Sequence, residues 1–132
     1  MIQYLTLKSR ERTELIDITA MVQNLIAASM VGSGSCDVFV MHTTAGITVN
    51  EGADPAVKRD IANCLDRLVP DEHYFTHAEG NSAAHVKSTL VGSCQRLLID
   101  RGRLLLGTWQ ALYFCEFDGP RERKVAVRIC AD

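Results

Sequence analysis

Short runs of alternating or β-branched residues predict that strands form much of the chain. The runs share turn residues at their ends and cover 2–8, 14–18, 36–41, 94–99, 104–106, 108–117 and 124–130. Asp100-Arg101-Gly102 predicts a turn between two of them. Asp118-Gly119-Pro120 predicts that the last two strands form a hairpin.

Two longer segments carry the three- and four-residue spacing of helices. Thr19 is a suitable N-cap for a helix that runs to about Met30 and ends at Gly32. Asp54 and Pro55 form a stronger start signal, a capping carboxylate followed by a proline whose missing N–H costs nothing there. This second helix presents one apolar stripe to the core and ends at Pro70, and a short third helix is expected near 84–91.

The order of these elements predicts the fold class. Helices occupy the first two-thirds of the chain, and β-hairpins dominate the last third. Such segregation is typical of α+β proteins, with helices packed on a mainly antiparallel β-sheet or sandwich. A chain of 132 residues has room for one domain, so residues 1–132 are expected to form a single unit.

Composition and charge exclude several classes of function. The formal net charge is −2, which indicates neither a nucleic-acid surface nor a polybasic membrane anchor. The uncharged stretch 18–36 is interrupted by polar residues and glycines, so a buried helix and a loop fit better than a membrane span. The five cysteines are widely spaced and include no Cys-x-x-Cys, which favours reduced, buried thiols in a cytoplasmic protein.

Histidines offer the first candidate chemistry. His42 follows a predicted strand, and His73, His77 and His85 lie in or beside the long polar loop 71–84, whose length favours a functional role. Three imidazoles can hold zinc and leave one position open for water or substrate. The eight-residue step from His77 to His85 matches no compact ligand motif. The alternative is surface histidines, with the strand-end histidine held by a backbone hydrogen bond.

Other polar residues could line a site. Glu51 is a candidate general base, a carboxylate that orients a ligand histidine, or an exposed loop residue. Trp109 and Gln110 could line a pocket, one by stacking and one by hydrogen bonding, although a strand tryptophan usually belongs to the core. Phosphate could be bound by Lys87, Arg103 and Arg128, but no glycine-rich phosphate loop is present.

Four blocks of the sequence together resemble the YjbQ-like family, also described as the secondary thiamine-phosphate synthase family. The first block is His-Thr-Thr-Ala-Gly-Ile-Thr-Val-Asn-Glu at 42–51, followed by Asp54-Pro55. The second block is Val69-Pro70-Asp71, followed by Tyr74, His77 and Glu79-Gly80-Asn81. The third block is Ala84-His85-Val86-Lys87-Ser88 and ends at Gly92. The fourth block is Gly102-Arg103, followed by Gly107-Thr108-Trp109-Gln110.

The resemblance implies a small α+β domain that assembles as a homotrimer, with its shared polar residues in one pocket. His42, His77 and His85 match the family's histidines and are expected to hold a divalent metal, zinc before magnesium, while His73 falls outside the match. The remaining matched residues, expected in the same pocket, are Asn50, Glu51, Trp109 and Gln110.

The family's named activity joins a pyrimidine diphosphate to a thiazole phosphate and releases diphosphate. On that basis His42 and Glu51 are expected to be catalytic, and Asn50, Lys87, Trp109 and Gln110 to bind a small phosphorylated substrate. Two other hypotheses stay open. In the first hypothesis, the chain is a non-catalytic trimeric module that binds a metal or a metabolite. In the second, the histidines are structural and the chain is an assembly domain.

Overall fold

Two antiparallel sheets form the body of the molecule. The computed structural model describes residues 1–132. The first sheet has the strand order β1-β8-β3-β5-β6, and the second has the order β2-β7-β4. The strands are β1 (Ile2–Lys8), β2 (Glu14–Asp17), β3 (Ser33–Val40), β4 (Ala45–Glu51), β5 (Cys94–Asp100), β6 (Arg103–Leu104), β7 (Gln110–Glu116) and β8 (Glu122–Ala131).

The main core lies between the two sheets and under the first helix. Alternate residues of β3 and β8 point inward, including Val38, Val40 and Val125, and meet Ile47 and Phe114 of the second sheet. Helix α1 (Thr19–Ser29) contributes its buried residues to the same core. The expected sandwich is therefore confirmed, with its apolar faces turned toward each other.

A second layer of helices covers the outer face of the second sheet. Helix α2 (Pro55–Leu68) and helix α3 (Ser82–Val91) pack there on a smaller cluster that includes Tyr113 and Phe117. Because β7 has the core on one face and helices on the other, residues 111–117 are buried without alternation. None of the three helices is long and apolar enough to cross a membrane.

The start of α2 follows the sequence prediction. The Asp54 carboxylate accepts a hydrogen bond from the Ala56 N–H at 2.9 Å, and Pro55 is the first helical residue. The apolar stripe of helix α2 is more exposed to solvent than predicted. Cys64 and Leu68 are exposed, and no residue of the helix is fully buried.

Helix α1 is capped differently from the prediction. Thr19 is the first helical residue rather than the cap, and the Asp17 carboxylate accepts from both its N–H and its hydroxyl. The Thr19 hydroxyl in turn accepts from the Leu112 N–H, so its oxygen is used to hold the helix on β7. The helix ends at Met30, which adopts the left-handed conformation two residues before Gly32.

Two further expectations were wrong. Strands β7 and β8 do not form a hairpin, because Asp118-Gly119-Pro120 carries the chain from the second sheet to the first. The cysteines are free, as expected, but only Cys36 and Cys115 are buried. The others lie on outward faces of α2, β5 and β8, where their side chains meet solvent.

Candidate functional site: a histidine cleft

The three matched histidines come together at the end of the second sheet where β4 begins. His42 lies between β3 and β4, His77 lies in the loop before α3, and His85 lies in the first turn of α3. They share an open cleft of about 440 Å³, named here the histidine cleft. Its lining residues are Met41, His42, Thr43, Thr44, His77, Glu79, Asn81, His85, Arg121 and Arg123.

His77 and His85 form the closest pair in the cleft. Their ring centroids are 5.3 Å apart and the rings are nearly perpendicular, at 88°. Two imidazoles bound to one tetrahedral zinc place their centroids roughly 5 Å apart, given Zn–N distances of about 2.0–2.1 Å. The spacing is that of an edge-to-face ring contact and is also compatible with two ligands of one zinc ion. No three His, Cys, Asp or Glu side chains are placed to share one ion, so the three-histidine zinc site stays a prediction.

His42 is the least suited of the three to bind a metal. Its Nε2 accepts a hydrogen bond from the Lys124 backbone N–H at 2.9 Å. The sequence-based alternative, a strand-end histidine held by the backbone, describes this contact. With the Nε2 lone pair used, the neutral ring carries its proton on Nδ1. His42 is thus a hydrogen-bond donor to the cleft rather than a ligand.

The surroundings of His42 keep its ring neutral. Partial burial lowers its pKa below the ordinary value of 6.5, and the nearby Arg123 guanidinium lowers it further. The Glu116 carboxylate opposes these effects without reversing them. Near neutral pH the ring is therefore uncharged, which is the state that accepts the Lys124 N–H.

A buried ion pair forms the floor of the histidine cleft. Glu116 is fully buried and Arg123 is 3% exposed. The Arg123 guanidinium donates to both carboxylate oxygens of Glu116 and, at 2.9 Å, to the Thr44 hydroxyl. The Ser9 hydroxyl and the Asp118 N–H also donate to the Glu116 carboxylate. This network ties β7, β8 and the segment before β4 together beneath the histidines.

One cation at the rim of the cleft was missed by the sequence reasoning. Arg121 is exposed and donates to the Asp118 carboxylate at 2.8 Å, and the Asn81 amide donates to the same oxygen. The sequence signal was the arginine-rich segment 121–123, which follows the Asp118-Gly119-Pro120 turn. The hairpin predicted at Asp118-Gly119-Pro120 gives no reason to place this segment beside the histidines.

The other matched residues lie at the opposite end of the second sheet. Glu51 pairs with Gln110 in the β4–β7 register, and Ala45 pairs with Glu116 beside the histidine cleft. The seven residues of β4 separate these ends by about 20 Å at 3.2–3.4 Å per residue. Within one chain, therefore, Asn50, Glu51, Trp109 and Gln110 form a separate group, named here the β4–β7 tip.

Hydrogen bonds within the β4–β7 tip fix its backbone. The Glu51 carbonyl accepts from the Tyr113 hydroxyl, and the Asn50 side chain accepts from the Glu51 N–H. The Gln110 side chain accepts from the Gly107 N–H at 2.7 Å. Trp109 is 64% exposed, so it belongs to the surface and not to the core.

The three cations considered for phosphate binding lie outside the histidine cleft. Lys87 is buried and its ammonium group pairs with the Asp66 carboxylate of α2. Arg128 binds Asp37 on the outer face of the first sheet, and Arg103 lies exposed on β6. The cation that does line the cleft and reach solvent is Arg121.

Comparisons with known proteins cover nearly the whole chain. Residues 3–132 match the family model described as "UPF0047 protein YjbQ-like". A UPF0047 protein of Methanocaldococcus jannaschii is 52% identical over 96% of this chain and 91% of its own length, and YugU of Bacillus subtilis is 47% identical over 98% of each chain. A crystal structure of an uncharacterised YjbQ/UPF0047 protein from Clostridium acetobutylicum is 50% identical, covers 97% of this chain and 99% of its own, and has a TM-score of 0.94.

Proposed function

The chain belongs to the YjbQ-like UPF0047 family, and we propose that it is a small enzyme whose histidine cleft binds a phosphorylated metabolite and transfers a group from it. The observation that carries this proposal is the meeting of His42, His77, His85 and Arg121 in one open cleft. Imidazole N–H groups and a guanidinium are suitable donors to phosphate oxygens. Lys87 is buried against Asp66 and does not line the cleft, whereas Arg121 does.

The proposed reaction is the transfer named for the family, a thiamine-phosphate-synthase-type substitution. The nitrogen of a thiazole phosphate forms a C–N bond to the methylene carbon of a pyrimidine diphosphate. The C–O bond to the diphosphate breaks, and diphosphate leaves with the electron pair of that bond. Arg121 and the His42 Nδ1–H would stabilise the charge on the departing diphosphate, which is where fixed donors lower a barrier most.

A direct assay tests the proposal. Wild-type protein is incubated with the pyrimidine diphosphate and the thiazole phosphate, and phosphorus NMR follows the release of diphosphate and the formation of the joined product. We expect product that increases with enzyme concentration. Thermal stabilisation by the substrates without any turnover would instead support the alternative, a non-catalytic module that binds a metabolite.

A divalent metal is the second part of the proposal. His77 and His85 would hold it, and two imidazoles favour zinc over magnesium, which prefers oxygen ligands. A bound ion would supply Lewis-acid stabilisation of the leaving phosphate oxygens. Elemental mass spectrometry of the purified, tag-free protein should find about one zinc per chain, lost in His85→Ala and retained in His73→Ala. Equal metal content in wild type and His85→Ala would contradict these ligands.

The proposed setting is a homotrimer in the cytoplasm that acts on a small metabolite. Free cysteines are consistent with a reducing compartment. The acidic net charge gives no support to nucleic-acid binding. Light scattering on the purified protein gives the number of chains directly.

A further inference from the structure

The Asp118 carboxylate joins two parts of the histidine cleft that lie far apart in the sequence. Its Oδ2 atom accepts hydrogen bonds from Arg121 Nη2 and from the Asn81 side-chain amide, each at 2.8 Å. Arg121 is the cation at the rim of the cleft, and Asn81 is the N-cap residue of helix α3. His85 lies in the first turn of that helix. One carboxylate therefore links the candidate phosphate-binding cation to the helix that carries a candidate histidine.

The position of Asp118 is itself fixed by the floor of the cleft. Its N–H donates to the Glu116 carboxylate at 3.0 Å, and Glu116 is fully buried. The next residue, Gly119, packs so closely that a Cβ there would collide with the Glu11 carbonyl oxygen and the Ser9 hydroxyl. The Asp118 side chain is only 18% exposed, whereas that of Arg121 is 49% exposed. An anchored carboxylate thus holds an arginine that reaches solvent.

This anchor fixes Arg121 at both ends. The Arg121 backbone N–H donates to the Ser9 hydroxyl at 3.0 Å, and its Nε donates to the Asp118 carbonyl at 2.8 Å. With Nη2 bound to the Asp118 carboxylate, two of the five guanidinium N–H donors are used and the others remain for a ligand. An arginine held in this way has already lost most of the side-chain freedom that it would otherwise lose when an anion binds.

The contact between Asn81 and Asp118 is made at a cost to the fold. A carboxylate only accepts hydrogen bonds, so the Asn81 NH2 group must face Asp118. The amide oxygen of Asn81 is then buried without a hydrogen-bond partner, and its side chain makes no cap hydrogen bond to helix α3. The Asn81 backbone carbonyl still accepts from the His85 N–H at 3.4 Å. Because an unpaired buried acceptor destabilises a fold, this arrangement favours a role in the site over a role in stability.

We infer that Asp118 is a positioning residue of the histidine cleft, which holds the Arg121 guanidinium and the start of helix α3 in the arrangement that receives a phosphate. The inference rests on the proposed function for its ligand, whereas the fixing of Arg121 does not. By its charge alone, Asp118 would repel a phosphate bound beside it. Removal of the carboxylate should therefore tighten phosphate binding if only its charge matters, and weaken phosphate binding if Asp118 acts by positioning.

Titration calorimetry with inorganic diphosphate separates these two effects. Asp118→Ala should raise the Kd by about 3- to 10-fold, the effect of one long side chain that has to be ordered on binding. Asp118→Asn keeps an acceptor oxygen at the same place and should bind at least as tightly as the wild type. Asp118→Gln has the same charge as Asp118→Asn but displaces that oxygen by one methylene group, so it should bind as weakly as Asp118→Ala.

The matched control is Asp37→Ala. The Asp37 carboxylate also binds two partners, Arg96 and Arg128, and is 17% exposed, but it lies on the outer face of the first sheet. This variant should leave the Kd unchanged. A Kd for Asp118→Ala at or below the wild-type value would overturn the inference, as would equal Kd values for Asp118→Asn and Asp118→Gln. Thermal unfolding identifies any unfolded variant, and if Asp118→Ala is unfolded the asparagine and glutamine pair decides alone.

NMR of the Arg121 guanidinium tests the positioning without any ligand. The Nη groups of a held guanidinium rotate slowly and give separate signals, whereas those of a free guanidinium average. The wild type and Asp118→Asn should give separate Arg121 signals, identified by their loss in Arg121→Lys, and Asp118→Ala should average them. If diphosphate does not bind the wild type, the proposed function fails, but separate Arg121 signals that depend on Asp118 would still support the positioning. Averaged Arg121 signals in the wild type would overturn it.

Discussion

Replacing Arg123 with methionine should lower the free energy of unfolding by about 3–5 kcal/mol, the cost of leaving a buried charge without its partner. Glu116 is fully buried, and Arg123 donates to both of its carboxylate oxygens. The Ser9 hydroxyl and the Asp118 N–H cannot replace the lost positive charge. Since a domain is stable by only about 5–15 kcal/mol, this loss is a large fraction of the total.

Urea denaturation at fixed protein concentration measures the effect. Arg96→Met is the matched control, because Arg96 binds Asp37 at the surface and its side chain is 63% exposed. Such exposed pairs contribute about 0.2–1 kcal/mol, and Arg128 still holds Asp37 in that variant. Equal losses in the Arg123 and Arg96 variants would show that burial of the Glu116 pair is not what stabilises this region.

The decrease in the free energy of unfolding caused by Arg123→Met should become smaller as the pH falls. Burial raises the pKa of Glu116, but the hydrogen bonds from Arg123, Ser9 and the Asp118 N–H outweigh burial and keep the pKa below its ordinary value of 4.5. A lowered folded-state pKa contributes stability above the unfolded pKa, and that stability is lost as the pH falls through the folded one. Without Arg123 the pKa rises, so acid relieves the variant while it destabilises the wild type.

Removing the imidazole of His42 should lower kcat for the proposed transfer by about 10²–10³, the usual effect of deleting one fixed donor to a developing negative charge. The Lys124 N–H occupies Nε2, so the donor available to the leaving diphosphate is Nδ1–H. The pKa of His42 is lowered below its ordinary value of 6.5, chiefly by burial, which favours the neutral ring near neutral pH. Any inflection in the rate that depends on His42 should therefore lie below pH 6.5.

Two amide variants separate the role of the Nδ1–H donor from that of the hydrogen bond with the Lys124 N–H. His42→Asn places an amide N–H near the position of Nδ1 and should retain most of the rate. His42→Gln can still accept the Lys124 N–H but loses the Nδ1 donor, so it should be as slow as His42→Ala. If the glutamine variant is active and the asparagine variant is not, His42 acts only by holding Lys124. Thermal unfolding of each variant identifies any that are merely unstable.

The sequence predicted elements whose signals are local and failed where a distant partner decides. The start of α2 was predictable because Asp54 and Pro55 act on the first turn of their own helix. The capping of α1 was not, because the Thr19 hydroxyl is used by Leu112 of β7, 93 residues away. Similarly, nothing in Asp118-Gly119-Pro120 reveals that the next strand joins a different sheet.

For the candidate site, too, the sequence predicted some features and failed on others. The spacing of the histidines did not bring them together, and only the resemblance to a family grouped His42, His77 and His85. The resemblance grouped Glu51 and Trp109 with them as well, but the β4–β7 register places these two at the far end of the sheet. A shared sequence motif records which residues a family has in common and not where in the fold those residues lie.

The central claim, that the histidine cleft binds the phosphate groups of a substrate, can be tested on the wild type by NMR of its four histidine side chains. Inorganic diphosphate is the probe, and His73 is an internal control because it lies outside the cleft. The account predicts saturable shifts of the imidazole signals of His42, His77 and His85, with His73 unchanged. The account would be contradicted if the imidazole signals of His42, His77 and His85 did not shift, or if the His73 signal shifted as far as those three.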